Sequence, residues 1–239
     1  MGALPNFLIV GAQRCGTSSL YAYLAQHPQV APAARKEVHY FDLNYQKGID
    51  WYRAQFPERS FTGEASPYYL FHPLAAERAA EAVPEAKIIA ILRNPVDRAY
   101  SHYHHEVRKG REDLSFEEAL EAEEERLAGE RERLIAVPAY RSQTHQSYSY
   151  KARGEYADQL EVWLEHFPRE RMLILESERL FEDPAAEYPR ALEFLELPLV
   201  EPAEYRQWNA GSYDARVPET PRRLERYFEP HMRRLRVLL

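Results

Sequence analysis

The sequence predicts an α/β fold in which a central parallel β-sheet carries helices on both faces. Short runs that are apolar, apart from Lys87, occur at residues 7–10, 86–92 and 172–175. Runs of this kind are typical of strands that are covered on both sides. Segments with helical spacing of apolar residues lie between them, and strands that alternate with helices form right-handed βαβ units around a parallel sheet.

The helices are predicted from their apolar stripes and from their start signals. Asn94 can cap a helix that has Pro95 at its first position, and Ser115 with Glu118 forms a capping-box pattern. Pro189 should kink the last of these helices or delay its start. The predicted helices are residues 18–27, 95–107, 115–127, 156–167 and 183–195.

Composition favours one domain over residues 1–239, because no Gly/Ser-rich or Pro-rich linker divides the chain. Residues 136–151 lack a clear period and are assigned to a loop. The single cysteine, Cys15, excludes an intrachain disulfide and a Cys-rich metal site and is compatible with the cytoplasm. No apolar run approaches the roughly 20 residues that span a bilayer. A net charge of −7 argues against nucleic acid as a partner.

A glycine-spaced turn follows the first predicted strand and runs directly into a helix. Its sequence, GAQRCGTSS at residues 11–19, is called the glycine loop below. Such a turn lets backbone N–H groups and the positive end of a helix bind a phosphate. Thr17 occupies the position at which the Walker pattern has its lysine, and Arg14 instead supplies a positive charge inside the loop. The fold is therefore of the P-loop type, without the Walker lysine.

Three further segments carry charged or polar groups, and one of them directly follows a predicted strand. The sequence reads RKEVHYFD at residues 35–42 and GEASPYY at residues 63–69. Arg93 follows the buried run 86–92 directly, and Ser101 lies about two turns into the next helix, roughly 10 Å along its axis. Ligands of open α/β sheets bind at the carboxyl ends of the strands, where the glycine loop and Arg93 both fall.

Together these motifs resemble the sulfotransferases that depend on 3′-phosphoadenosine 5′-phosphosulfate (PAPS), in particular the heparan sulfate sulfotransferases and their bacterial relatives. The resemblance extends from residue 7 to about residue 228. It implies transfer of a sulfuryl group from PAPS to a hydroxyl or amine of a carbohydrate or small-molecule acceptor, with adenosine 3′,5′-bisphosphate as the product. The spacing of His, Asp and Glu residues predicts no metal site, and neither a membrane nor a nucleic acid is expected as a partner.

The resemblance also implies a role for each motif. The glycine loop is similar to the family's 5′-phosphosulfate loop, with Arg14 where lysine is usual, so that Arg14 would also stabilise the leaving phosphate. Glu37, in the stretch Glu-x-His-x-Phe-Asp, is the implied general base. His39 would orient Glu37 or be the base itself, since it points to the same side if the stretch is extended. The implied cofactor-binding residues are Arg14, Cys15, Gly16, Thr17, Ser18, Ser19, Arg93 and Ser101.

The sequence departs from the heparan-type enzymes at two points. Ala65 stands where several of them carry a lysine, and the C-terminal Cys-bounded loop that closes over their cofactor has no counterpart. Residues 208–213 resemble the bacterial relatives in this region and are expected to cover the nucleotide. These departures disfavour heparan sulfate as the acceptor.

Two alternatives stay open at the level of the sequence. A P-loop kinase or nucleotidase would need a lysine at position 17 and an acidic residue that ends a buried strand, but the run 86–92 ends in Arg93. The other alternative is a catalytically inactive module that binds a nucleotide. The set of Glu37, Arg14, Arg93 and Ser101 argues against inactivity.

Overall fold

A computed structural model describes residues 2–58, 61–207 and 219–239. The chain divides into two compact units. The described part of the first unit consists of residues 2–58, 61–92 and 163–207, and that of the second unit consists of residues 93–162 and 219–239.

The first unit is built on a five-stranded parallel sheet with the strand order β2-β3-β1-β4-β5. The strands are β1 Phe7–Gly11, β2 Val30–Pro32, β3 Phe61–Ala65, β4 Lys87–Leu92 and β5 Met172–Glu176. β1 is buried throughout and β4 at every residue except its first, as the apolar runs predict. The sequence analysis predicts neither β2 nor β3. The three residues of β2 end in a proline and carry no measurable period, and β3 has Thr62, Gly63 and Glu64 between its apolar ends.

Helices flank the sheet, which confirms the predicted fold class. The helix bounds are α1 Thr17–Leu24, α2 Ile49–Arg53, α3 Ala75–Ala82, α4 Pro95–Arg108, α5 Phe116–Leu127, α6 Glu130–Ala136, α7 Gln143–Ser147, α8 Tyr156–His166, α9 Ser177–Glu182, α10 Pro184–Phe194 and α11 Glu219–Leu238. In the first unit, α1 packs on β1 and β3, and α10 packs on α1 and β5. None of the described helices is long and apolar enough to cross a membrane.

Most predicted helix starts are confirmed by their capping contacts. The Asn94 side chain accepts hydrogen bonds from the N–H groups of Val96 and Asp97 at the start of α4, at 3.0 and 3.4 Å. The capping box of Ser115 and Glu118 opens α5. The expected delay at Pro189 is wrong, because Asp183 caps α10 and the helix begins at Pro184 and continues through Pro189.

The interpretation of residues 136–151 as a loop is wrong in part. Residues 143–147 form α7, and the Ser142 hydroxyl caps this helix by accepting a 2.8 Å hydrogen bond from the N–H of His145. A polar helix of five residues has too few apolar positions to show a period. The second unit has its own core, in which residues of α4, α5 and α11 pack together with Tyr150.

The sheet of the first unit determines where its loops emerge. Because β2, β3 and β1 are adjacent and parallel, their carboxyl ends lie along one edge of the sheet. The glycine loop follows β1, residues 35–42 come shortly after β2, and Ser66 follows β3 directly. Three segments that are distant in sequence therefore meet at one edge.

Candidate active site

The shape of the glycine loop depends on its two glycines. A Cβ atom at Gly11 would lie 2.5 Å from the Cβ of Leu70, so no side chain fits where the loop leaves β1. Gly16 has a φ of 97°, and a Cβ there would also lie 3.0 Å from the Phe181 ring. A left-handed residue at this point turns the chain into α1, which begins at Thr17.

The loop presents both backbone donors and a positive charge. α1 begins at Thr17, so the N–H groups of its first turn lie at the end of the loop, and that of Ser19 donates to the Gly16 carbonyl oxygen at 3.0 Å. Arg14 lies inside the loop in a left-handed conformation, with a φ of 70°. The Cys15 side chain is buried with its thiol 3.6 Å from the carbonyl oxygen of Gln13, and its N–H donates to the Ala12 carbonyl oxygen at 3.2 Å. This donor set fits the 5′-phosphosulfate end of PAPS.

Residues 35–42, called the base loop below, place Glu37, His39 and Asp42 in one chain of contacts. The His39 Nε2 atom lies 3.2 Å from a carboxylate oxygen of Glu37, and Nδ1 lies 2.8 Å from the Asp42 carboxylate. The Lys36 ammonium donates a 2.6 Å hydrogen bond to Glu37. The Asp42 side chain is fully buried, whereas 41% of the Glu37 side chain is exposed. Glu37 is thus the most exposed member of the chain, since the His39 side chain is 18% exposed.

The base loop is not extended, and the expectation that it is extended is wrong. Glu37 and His39 both have left-handed backbones, with φ values of 60° and 55°. Their side chains nevertheless meet, because the left-handed residues curl the backbone and bring positions 37 and 39 together. The predicted proximity of Glu37 and His39 is therefore correct, for a different reason.

The charges of the base loop shift the pKa values of its two central residues in opposite directions. Burial disfavours the charged form of His39, but the Asp42 and Glu37 carboxylates outweigh burial and raise the His39 pKa to about 10. Burial likewise opposes ionisation of Glu37, but the hydrogen bond from His39 and the Lys36 ammonium lower the Glu37 pKa to about 2. At neutral pH the loop therefore holds an imidazolium beside an ionised Glu37.

Arg93 and Ser101 lie in the second unit. Arg93 is the residue directly after β4, and its carbonyl oxygen accepts a 2.9 Å hydrogen bond from the hydroxyl of Tyr156. Ser101 lies on α4 and is buried. Residues 208–213, expected to cover the nucleotide, lie outside the described residues.

Within residues 2–58, 61–207 and 219–239, one group of side chains has the composition of a metal site. Glu155, Asp158 and His231 offer ligand atoms that lie within 4.8 Å of one another. In the same region, however, the Asp158 carboxylate accepts from the Arg234 guanidinium and the Glu155 carboxylate accepts from the Tyr227 hydroxyl. The expectation of a metal-free site stays a prediction.

Sequence reasoning missed two acidic residues that shape the base loop. Asp42 is part of the motif quoted above, but its contact with His39 depends on the curled backbone. Glu64 is fully buried at the end of β3, and its carboxylate accepts a hydrogen bond from the N–H of Val38. An acidic residue inside an otherwise apolar strand end is a signal that could have identified Glu64.

An α/β fold with a glycine-spaced loop between β1 and a helix is typical of a class of protein, namely enzymes that transfer a group from a nucleotide. Comparisons with known proteins identify the family. A profile of the sulfotransferase domain matches residues 4–215. The chain therefore belongs to the PAPS-dependent sulfotransferase family, and the kinase alternative is not favoured.

Relatives of known structure and of known name agree with this assignment. A crystal structure of a sulfotransferase from Alicyclobacillus acidocaldarius is 36% identical, with a TM-score of 0.80, and the match covers 99% of this chain and 96% of that one. Human heparan sulfate glucosamine 3-O-sulfotransferase 3B1 is 37% identical over 197 residues, which cover 81% of this chain and 46% of that protein.

Human bifunctional heparan sulfate N-deacetylase/N-sulfotransferase 3 is 36% identical over 210 residues, which cover 80% of this chain and 22% of that protein. The chain thus spans less than half of the length of these curated relatives.

Proposed function

We propose that this chain transfers a sulfuryl group from PAPS to a hydroxyl or amine acceptor, with Glu37 as the general base. The observation that supports this role is the Glu37 carboxylate, which His39 and Lys36 keep ionised and which solvent reaches. It belongs to the same unit as the glycine loop. We further propose that residues 1–239 act as one sulfotransferase domain in the cytoplasm, which the single cysteine favours.

PAPS supplies a sulfuryl group that is attached to a good leaving group. The acceptor atom bonds to sulfur while the bond from sulfur to the 5′-phosphate oxygen breaks. The electron pair of the broken bond stays on that oxygen. The chain's residues handle the charge and the proton. Arg14 and the N–H groups of the glycine loop stabilise the negative charge on the leaving phosphate. Glu37 accepts the acceptor's proton and then releases it to solvent.

Glu37 is a better candidate for the base than His39. An imidazole with a pKa of about 10 is already protonated at neutral pH and cannot accept a further proton. Both of its ring nitrogens also face carboxylates. We assign His39 the role of orienting Glu37, with Asp42 fixing the ring from its other side. The Glu37 pKa of about 2 makes it a weak base, so the proton transfer depends on the acceptor losing its proton as its bond to sulfur forms.

We propose that Arg93 and Ser101 bind the 3′-phosphate of the nucleotide. This proposal rests on the resemblance of the two residues to the family's 3′-phosphate motif. A cation and a hydroxyl suit a phosphate, and charge-assisted hydrogen bonds of this kind contribute roughly 1.5–3 kcal/mol each.

Isothermal calorimetry in EDTA tests whether the nucleotide binds without a metal. Adenosine 3′,5′-bisphosphate should bind with a dissociation constant in the micromolar range or below. Arg93→Ala should abolish the preference for the bisphosphate over adenosine 5′-phosphate. An undiminished preference would place the 3′ site elsewhere.

The acceptor is proposed to be a carbohydrate or a small molecule. The curated relatives are named for sulfation of glucosamine hydroxyls and amines in heparan sulfate, but Ala65 in place of a lysine disfavours the same polymer here. Transfer of label from ³⁵S-PAPS to a panel of probes tests the activity. The panel contains p-nitrophenol, a simple alcohol, a glucosamine oligosaccharide and a partly desulfated heparan sulfate oligosaccharide. Labelling of no probe, together with no bisphosphate binding, would contradict the proposed function.

A further inference from the structure

The carboxylate of Glu64 lies beneath the base loop and accepts four hydrogen bonds. Oε1 accepts from the hydroxyls of Tyr52 and Tyr69, at 2.7 and 2.9 Å. Oε2 accepts from the Ser66 hydroxyl at 2.6 Å and from the N–H of Val38 at 3.2 Å. Glu64, Tyr52, Tyr69 and Ser66 are all buried. Burying a carboxylate is costly unless it is well hydrogen-bonded. The groups that donate to Glu64 therefore indicate which part of the structure the carboxylate holds in place.

The partners of Glu64 hold the backbone of the base loop. The N–H of Val38 donates directly to Glu64, and the N–H of His39 donates to the Ser66 hydroxyl at 3.0 Å. The N–H groups of Tyr40 and Phe41 both donate to the Tyr69 hydroxyl, at 2.6 and 3.4 Å. Consecutive N–H groups from residue 38 to residue 41 therefore reach Glu64 directly or through one hydroxyl.

The hydrogen bonds in this network make Glu64 an acceptor. The Ser66 and Tyr69 hydroxyls accept backbone N–H groups, so each directs its own hydrogen toward Glu64. With the N–H of Val38, at least three donors therefore face the carboxylate. Burial raises the pKa of Glu64, and the hydroxyls of Ser66, Tyr52 and Tyr69 act against that rise. Replacing the carboxylate by a neutral amide therefore disturbs the donors rather than relieving them.

The segment held in this way contains or adjoins residues with an unfavourable backbone. His39 within it and Glu37 next to it are left-handed without being glycine, a conformation that is unfavourable for residues with a Cβ atom. Such backbone conformations persist where several contacts from the surrounding structure hold them in place. Val38 lies between the two, and its carbonyl oxygen also accepts a 3.0 Å hydrogen bond from the Asn44 side chain.

We propose that Glu64 is a positioning residue: its buried carboxylate holds the backbone of residues 38–41 in the curled form that brings Glu37, His39 and Asp42 into contact. The role rests on the proposed function of Glu37. Glu64 itself touches neither the acceptor nor the nucleotide in this proposal. It acts on the reaction through the position of Glu37.

The test compares Glu64→Gln and Ser66→Ala with the control Thr62→Val. The Gln amide keeps the shape but replaces one acceptor oxygen by a donor, and Ser66→Ala removes the acceptor of the His39 N–H with minimal change in volume. Thr62 lies on the same strand, is buried and donates a 2.6 Å hydrogen bond to the carbonyl oxygen of Ala31, away from the base loop. Thr62→Val should lower stability without altering the site.

The first readout is the titration of His39 by NMR on histidine-labelled protein, which needs no acceptor. The groups that face the ring are Glu37, Asp42 and the edge-on ring of Tyr69. In the unaltered chain the midpoint should be near pH 10. If Glu64 positions the loop, Glu64→Gln and Ser66→Ala lower the midpoint by about one unit or more, as expected when a carboxylate partner moves away, and Thr62→Val leaves it unchanged.

The second readout is turnover with ³⁵S-PAPS and the best probe of the acceptor panel. Both base-loop variants should turn over about 10- to 100-fold more slowly, since a displacement near 1 Å can cost about a hundredfold in rate, with the KM for PAPS unchanged. In a Glu37→Gln background, Glu64→Gln should cause no further loss, because the two residues act as a unit. A further loss of the same size would indicate general destabilisation and overturn the proposal.

The failure of this proposal is distinguishable from failure of the proposed function. If Glu37→Gln turns over at the normal rate, Glu37 is not the base, and the His39 titration still reports whether Glu64 positions the loop. If Glu37→Gln is impaired while Glu64→Gln and Ser66→Ala keep the normal titration and turnover, the positioning role alone is wrong. Should Glu64→Gln fail to fold, Ser66→Ala decides the outcome.

Discussion

The glycine loop and the base loop emerge at the same edge of the sheet, but different kinds of interaction hold them. Both contain left-handed residues that are not glycine: Arg14 in the first loop, and Glu37 and His39 in the second. In the glycine loop the neighbouring turn is made by Gly16, and Gly11 allows close packing against Leu70. In the base loop, side chains at and after the end of β3 hold the backbone through hydrogen bonds.

This difference has consequences for how each loop tolerates change. The glycine loop depends on the absence of side chains, so added atoms should disturb it. The base loop depends on buried polar partners, so removed atoms should disturb it. It also concentrates opposite charges within a few residues, which ties its geometry to pH. The predictions below test this contrast in order of expected effect.

Glu37→Gln should produce the largest loss, because the amide keeps the shape of the side chain but cannot accept a proton at neutral pH. Loss of a general base commonly lowers the rate about 10²–10⁴-fold. Turnover with ³⁵S-PAPS should fall by this order while the calorimetric affinity for adenosine 3′,5′-bisphosphate stays within a few-fold. His39→Ala should cause a smaller loss, through lost orientation of Glu37. The opposite ranking would assign the base to His39.

Arg14→Ala should affect turnover more than binding, because the charge that Arg14 stabilises develops on the leaving phosphate during transfer. Removal of one such stabilising group commonly costs about 10²–10³-fold in rate. Arg14→Lys should retain part of the activity. Rates are measured with ³⁵S-PAPS and affinities by calorimetry with the bisphosphate. Equal losses in rate and affinity would show that Arg14 only binds.

Asp42→Asn should move the titration of His39 from about pH 10 toward the ordinary value near 6.5. The raised pKa means that the ion pairs of His39 stabilise the fold fully below its unfolded pKa, and that this stability is lost as the pH rises through about 10. In Asp42→Asn the loss should be smaller and complete at a lower pH, because only the folded-state pKa falls, and turnover should decline there too. NMR titration and pH–rate profiles measure both. An unchanged midpoint would contradict the pairing of Asp42 with His39.

Gly16→Ala should cost stability and weaken bisphosphate binding. A left-handed alanine costs roughly 1–2 kcal/mol, and the contact of 3.0 Å with Phe181 adds to it. Gly129→Ala is a matched control, because Gly129 is also left-handed at 74° but has open space around its would-be Cβ. Denaturant unfolding should give a larger loss for Gly16→Ala, and calorimetry should show weaker binding for that variant only. Equal effects would argue against a tight turn at Gly16.

Periodicity and capping patterns were sufficient to predict the fold class of this protein and its longer helices. The buried strands β1 and β4 could be predicted because strands covered on both faces must be apolar throughout. The start of α4 could be predicted because Asn94 and Pro95 act within one turn. The short elements β2 and α7 could not, since a few residues carry no period.

The same distinction between local features and contacts over long sequence distances applies to the candidate site. The sequence by itself determined the glycine loop, because glycine spacing and the adjoining strand and helix are local properties of the chain. It also determined which residue types stand at positions 37 and 39. Only the tertiary structure decided how these two meet, because their left-handed backbones depend on Glu64 and Ser66, and the bond from the His39 N–H to Ser66 spans 27 positions. A hydrogen bond between distant segments leaves no periodic trace in the sequence, so its partners become visible only when the strands are placed side by side.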